Sequence, residues 1–217
     1  MRNVKPPWAG PALLLHRGRS DATVAREAGV TICVFCSSSD AVDGAYHAAA
    51  SELGSRMGGA GHTLVYGGGR VGLMGAVARG VHESGGKVIG VIPGFMNRPG
   101  VTYTEADELI VTPDMRERKT RMEDMAEAFI ALPGGFGTLE EITEVITLLT
   151  FRVWVKPFVL VNTSGFYDPL IELFERYYRE SFAKPDFRAL CPFVDTPAQA
   201  MDYIRDFTPP PLVSKWF

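Results

Sequence analysis

Pro133-Gly134-Gly135-Phe136-Gly137-Thr138-Leu139-Glu140-Glu141 decides how the chain is read. The apolar run Ala128-Phe129-Ile130-Ala131-Leu132 leads into it, three glycines fall within four residues, and a helical pattern starts at once. That order predicts a buried strand, a tight turn and a helix N-terminus. Glycines let the backbone approach a ligand closely, and the unpaired N–H groups of a first helical turn favour an anion. The stretch therefore reads as a phosphate cradle with a carboxylate one turn beyond it. Thr138 is expected to open the helix, and Thr138-x-x-Glu141 has the spacing of a capping box, which would fold Glu141 back onto the Thr138 N–H. Glu140 would then be a solvated acid suited to the helix dipole. The same positions also suit chemistry on a bound ligand, and spacing alone does not separate the two roles.

Immediately upstream, Glu108–Thr112 reads as a strand, and Asp114 with Glu117 three residues on reads as a helix start. The helix expected over Met115–Met125 places Met115, Arg118, Lys119 and Met122 at i, i+3, i+4 and i+7. A solvated helix keeps its charges off the apolar stripe. Arg118 and Lys119 on that stripe must therefore either snorkel to water or face something anionic.

Two further turns share this character. Val30–Cys36 is an apolar, β-branched run suited to a central parallel strand, and Ser37-Ser38-Ser39 follows it. Those hydroxyls suit either ligand contact or helix capping. His62–Tyr66 is a second strand that runs into Gly67-Gly68-Gly69-Arg70-Val71-Gly72, which contains G-x-G-x-x-G. A dinucleotide site would need an acid at the end of the next strand, but Lys87–Ile92 ends in Pro93-Gly94. A glycine-rich turn lining a mononucleotide pocket fits better, and neither turn carries the Gly-Lys-Ser/Thr of a Walker loop. Residues 93–103 read as a surface loop. Helices are expected over about 42–57, from Ile142 to Phe151, over Asp168–Phe182 and over Pro197–Phe207, with strands at Lys156–Val161 and Phe193–Asp195.

Strands and helices alternate without internal repeats, which predicts one doubly wound, Rossmann-like α/β domain with a mostly parallel sheet of about six or seven strands. Its expected limits are 29–208, preceded by a flexible basic arm at 1–28 and followed by a loose tail at 209–217, where Trp216 and Phe217 could dock on a partner. At 217 residues the chain suits one well-filled domain better than two. A formal charge of −3 and a pI near 5.8 leave no electrostatic footprint for nucleic acid. No apolar run approaches the ~20 residues of a membrane span. Cys33, Cys36 and Cys191 are odd in number and two lie in a core strand, which suits reduced cytoplasmic thiols better than disulfides, redox chemistry or a metal.

Met115-Arg116-Glu117-Arg118-Lys119 fits M-x-x-R-K, and Pro133–Glu141 fits P-G-G-x-G-T-x-x-E. Together with Val34–Ser39 and Tyr66–Gly75, these motifs resemble the "lonely guy" (LOG) family of cytokinin riboside 5′-monophosphate phosphoribohydrolases, whose members were often labelled lysine decarboxylases. The likeness spans about Val30 to Phe207. It implies hydrolysis of the N-glycosidic bond of a nucleoside 5′-monophosphate, AMP or its N6-prenylated form, to free base and ribose 5-phosphate. It implies Arg118 and Glu141 as the catalytic pair. Gly134, Gly135, Gly137 and Thr138 would hold the phosphate, with Met115, Lys119, Ser38 and Gly68 lining the pocket. It also implies no metal or organic cofactor, and a homodimer or larger assembly. Ser37 stands where the family commonly has Gly. A decarboxylase would ordinarily need an electron sink such as a lysine-bound pyridoxal, and no residue pattern here demands one. The alternative is a non-catalytic nucleotide or cofactor carrier built on the same cradle.

Overall fold

Short apolar runs become strands here because helices cover both faces of the sheet and leave no polar side for alternation. The computed structural model describes residues 29–211, so the arm at 1–28 and the aromatic pair Trp216 and Phe217 lie outside the described residues. In chain order the elements are β1 (Thr31–Phe35), α1 (Gly44–Gly59), β2 (Thr63–Tyr66), α2 (Gly72–Glu83) and β3 (Lys87–Pro93). Then come β4 (Glu108–Thr112), α3 (Met115–Met125), β5 (Ala128–Ala131) and α4 (Phe136–Thr150). The chain continues through β6 (Phe158–Val161), α5 (Asp168–Arg179), β7 (Phe193–Val194) and α6 (Pro197–Arg205).

The strands form one seven-stranded sheet in the order β4-β3-β2-β1-β5-β6-β7, every neighbouring pair parallel. This is the doubly wound Rossmann-like α/β fold, fully rather than mostly parallel. From β1 to β4 the chain steps one way across the sheet; after β4 it returns past β1 and steps the other way. One core cluster joins β1, β2 and β6 to α1, α2 and α6, and includes Ile32, Leu53, Leu64 and Val77. The cluster on the opposite face joins the strands to α3, α4 and α5 through Met122, Phe129, Ile142 and Val145. Cys33 and Cys36 fall in different clusters because an offset of three puts them on opposite faces of the extended chain. All three cysteines are free and buried, and burial raises each thiol's pKa, that of Cys191 to about 12.

One local expectation changes. α4 begins at Phe136 with Gly135 as its cap, not at Thr138; the Gly135 carbonyl already accepts from the Leu139 N–H at 3.0 Å. Thr138 is inside the first turn and packs behind Gly134, where an added Cβ would stand 2.1 Å from its Oγ1. Only a glycine lets strand and helix meet this abruptly. The α3 start matches its spacing: the Asp114 carboxylate accepts from the Glu117 N–H at 2.9 Å. Elsewhere the chain from 94 to 107 crosses from β3 to the parallel β4 with only a 3₁₀ turn at Gly94–Met96, where most parallel crossovers use an α-helix.

Candidate active site

In an open parallel sheet, ligands sit beyond the carboxyl ends of the strands where the winding direction reverses. Here that point lies between β1 and β5, whose pairing of Val34 with Ile130 and Phe35 with Ala131 brings their ends level. The two following turns touch directly, the Ser37 N–H donating to the Pro133 carbonyl at 3.2 Å. Ser37 needs no glycine-like backbone, since the positive-φ non-glycine residues among those described are Arg152, Ser164 and Ser181. On the α1 side of the glycine turn lies a cavity of about 250 Å³, lined in part by Ser37, Tyr46, Leu73, Gly134, Gly135 and Phe166. Tyr46 and Phe166 meet there edge to face at 5.8 Å. Another cavity, of about 190 Å³ and lined in part by Trp154, Leu190 and Phe207, belongs to the amino end of β6 and has no part in this turn.

Two helices start at glycine turns near the switch point, and they differ. The Gly72 N–H at the start of α2 donates to the Asp40 carboxylate at 2.6 Å, so an acid of the chain already serves that terminus. The cap of α4, Gly135, makes no side-chain hydrogen bond. Of the two turns, the one after β5 is therefore the one whose first N–H groups and helix dipole remain for an external anion. Gly135 and Gly137 are open there, with nothing within 4 Å of where a Cβ would stand.

Beneath this turn, on the α3 side, Arg118 Nη1 donates to Glu141 Oε1 at 3.0 Å, and the residues are only 5% and 7% exposed. Arg118 Nε donates to the Val91 carbonyl at 3.2 Å. Its guanidinium also lies against Gly67: a Cβ there would stand 2.0 Å from Nη2. Glu141 does not return to the Thr138 N–H, because the cap of α4 is Gly135, three residues earlier, which turns this acid inward toward α3. Burial raises its carboxyl pKa, and the adjacent Arg118 opposes that rise without cancelling it. A carboxylate desolvated in this way is a stronger base than one in water.

Lys119 also faces acids of α4. Its Nζ lies 2.5 Å from Glu140 Oε1 and 2.6 Å from Glu144 Oε2. The mixed stripe on α3 is thus a two-cation face pressed against a three-acid face. Glu140 is a partner in that tie rather than a solitary dipole acid. Met115 opens α3 and is partly exposed, while Thr138 is buried in the first turn of α4. Ser38 is exposed on the turn after β1, with its backbone against Gly72. Gly68 is left-handed at φ +71°, a conformation that favours glycine. The structure thus groups Arg118 and Glu141 tightly, sets the Gly134–Thr138 turn above them, and gives Lys119 to its own ion pairs.

Three contributors escaped the sequence reading. Asp40 caps a helix 32 positions away, Gly67 makes room for Arg118, and the buried Tyr167 hydroxyl donates to the Leu132 carbonyl at 2.7 Å just before the glycine turn. The glycine run was visible, but which glycine meets which side chain depends on the crossing of elements distant in sequence.

Fold and site together define a doubly wound α/β protein with a buried guanidinium–carboxylate pair under a glycine-rich turn at its switch point. The family model described as "Possible lysine decarboxylase" matches residues 74–204. The chain is 41% identical over 181 residues to the probable cytokinin riboside 5′-monophosphate phosphoribohydrolase LOGL5 of Oryza sativa subsp. japonica, covering 83% of this chain and 73% of that one. It is 41% identical to the LOG enzyme of that plant, covering 82% and 74%, and 38% identical to LOG3 of Arabidopsis thaliana, covering 82% and 83%. The protein belongs to the LOG family of cytokinin riboside 5′-monophosphate phosphoribohydrolases. Among solved structures it is similar to a molybdenum cofactor binding protein from Rippkaea orientalis, at TM-score 0.63 and 20% identity over 82% of this chain and 96% of that one. A molybdenum cofactor carrier protein from Chlamydomonas reinhardtii gives 0.62 and 23% over the same shares. These two likenesses are of fold alone.

Proposed function

We propose that this protein hydrolyses the N-glycosidic bond of a nucleoside 5′-monophosphate, AMP or its N6-prenylated form, releasing free base and ribose 5-phosphate. The observation that carries the reading is the buried Arg118–Glu141 pair directly below the uncapped start of α4. The phosphate rests on the N–H groups of the Gly134–Thr138 turn, since Asp40 already serves the other glycine turn. With the phosphate held there, the ribose lies toward the pair. Cleavage passes through an oxocarbenium-like sugar, which a carboxylate stabilises electrostatically. The C1′–N bond breaks with its electron pair leaving on the base. A water oxygen bonds C1′ and gives up a proton to Glu141; that proton passes through solvent to the departing base, which restores the carboxylate. Arg118, held by the Val91 carbonyl, fixes the orientation of Glu141 and keeps it ionisable. Met115 and Lys119 flank the pocket, with Lys119 acting through the α3–α4 tie.

The accompanying reading is a cytoplasmic homodimer in which 29–208 is the catalytic domain. No helix among the described residues is long and apolar enough to cross a membrane. The apolar side chains on α4, among them Phe136 at 93% exposed and Leu139, suit a second copy of the chain.

Incubating the protein with AMP and isopentenyl-AMP and separating the products by chromatography tests the reading. Free base and ribose 5-phosphate are expected from the wild type and not from Arg118→Ala or Glu141→Ala. Nucleotide binding by calorimetry without release of base from any monophosphate would replace this reading with that of a carrier.

A further inference from the structure

The crossover from β3 to β4 has no α-helix to hold it, yet its second half is tied down. Its Val101 carbonyl accepts from the Arg70 N–H at 2.8 Å, and the Tyr103 N–H donates to the Gly68 carbonyl at 2.9 Å. Thr102 forms an antiparallel bridge with Gly69, and the Tyr66 hydroxyl donates to the Gly69 carbonyl at 3.1 Å. The crossover is thus zipped along the Gly67–Arg70 turn, the turn on which the Arg118 guanidinium lies.

From there the buried Tyr103 ring runs back along α2. Its hydroxyl lies 2.9 Å from His82 Nδ1, and His82 Nε2 lies 3.0 Å from Asp107 Oδ2. The same Asp107 oxygen accepts from the Val88 N–H at 2.7 Å, at the start of β3. An ionised carboxylate only accepts, so His82 presents Nε2–H to Asp107 and leaves Nδ1 to accept from the tyrosine hydroxyl. The tyrosine hydroxyl, the imidazole and the carboxylate are then linked by hydrogen bonds of consistent sense. The Val88 N–H and His82 both hold the Asp107 carboxyl below its usual range, which keeps it in the accepting form.

We propose that Asp107, His82 and Tyr103 are positioning residues: they hold the β3–β4 crossover against the glycine turn after β2, and through that turn they set the seat of Arg118. The proposal deepens the hydrolase reading and rests on it for its kinetic consequence, but not for its structural one. Gly67 has no side chain, so nothing but backbone separates the zipped turn from the guanidinium. A displacement of the crossover therefore passes straight to Arg118. Misplacing a catalytic group by a fraction of an ångström lowers turnover more than it lowers ground-state binding.

The test uses the full chain with Tyr103→Phe, which removes one hydroxyl and keeps the buried ring, and with His82→Gln. The first readout is the side-chain Nε–H resonance of Arg118, assigned by its loss in Arg118→Lys. Either variant is expected to shift it, whatever reaction the protein performs. The second readout is steady-state kinetics on AMP, where kcat is expected to fall about ten-fold with KM within two-fold, a loss near 1.4 kcal/mol in the transition state. Combining Tyr103→Phe with His82→Gln should cost no more than the larger single effect, because both break one chain of contacts. An unmoved Arg118 resonance in both variants overturns the proposal, including when one variant unfolds at a lower temperature. Variants that shift the resonance, with a wild type that releases no base, leave the positioning role standing and remove the hydrolase reading instead. A wild type that turns over AMP and variants that keep its kcat overturn the relay alone.

Discussion

Arg118 and Glu141 meet at 3.0 Å in a place that water barely reaches, each the other's main counter-charge. A buried pair of this kind costs desolvation on both sides, so its loss by halves and its loss as a whole have different effects. Arg118→Ala leaves an unpaired buried acid, and a destabilisation of roughly 3–5 kcal/mol is expected. Protonating Glu141 cancels that charge, so the penalty should shrink in acid and grow in alkali. Arg118→Met with Glu141→Leu should regain most of the lost stability with no activity. Urea unfolding of the three proteins at several pH values checks the ordering; a double variant less stable than Arg118→Ala would refute it. Glu141→Gln keeps the shape and should still lower turnover on the order of a hundred-fold or more.

Glu123 carries a second titration. Burial, with Glu144 adding to it, raises its carboxyl from the ordinary 4.5 to about 7, Lys119 opposing. The unfolded chain gives up this proton first, so the group's contribution to stability is whole below its ordinary pKa. It is lost as pH rises from about 4.5 through about 7. Glu123→Gln should flatten the stability–pH curve across that window, read as the difference between wild-type and variant unfolding curves. Equal slopes in both proteins would contradict it.

Gly67 and Gly137 make opposite demands on a methyl group. At Gly67 an added Cβ would stand 2.0 Å from the Arg118 guanidinium, so Gly67→Ala should lower kcat as sharply as an Arg118 variant does. At Gly137 the space is open and the residue lies in the first turn of α4. Gly137→Ala should therefore stabilise the fold by up to about 1 kcal/mol, from helix propensity. The same methyl intrudes where a phosphate would approach the backbone, so KM should rise. Thermal unfolding together with AMP kinetics separates the two effects, and a Gly137→Ala protein with an unchanged KM would argue against phosphate on this turn.

Asp40 serves α2 from outside the helix. Asp40→Ala should cost about 1 kcal/mol of stability, as loss of an N-cap does, while Asp40→Asn should retain most of it. Denaturant midpoints for the two variants measure this directly. Equal losses would assign the effect to charge rather than to the hydrogen bond.

The doubly wound sheet was legible because its strands are continuous apolar runs, such as Thr31–Phe35 and Ala128–Ala131, punctuated by glycine turns. The α3 stripe was legible in part: two cations at i+3 and i+4 among methionines required either water or an anionic neighbour, and the structure supplies Glu141 for one and Glu140 with Glu144 for the other. Thr138 misled because its capping-box spacing is genuine, while the real helix start depends on Gly135 taking an extended conformation before it. The roles of Gly67, Asp40 and Tyr167 could not be read at all, since each depends on a partner on another element. The crossover lay in the same blind spot: Pro, Gly and Asn marked it as loop, but only the fold shows that it is stapled to α2.

The cap that Asp40 places on α2 reaches beyond stability. Two helices start at glycine turns near the switch point, and an acid of the chain itself is hydrogen-bonded to the first. On the proposed reading a phosphate monoester, having a single anionic end, meets a single landing point, and its heading is settled before the base touches anything.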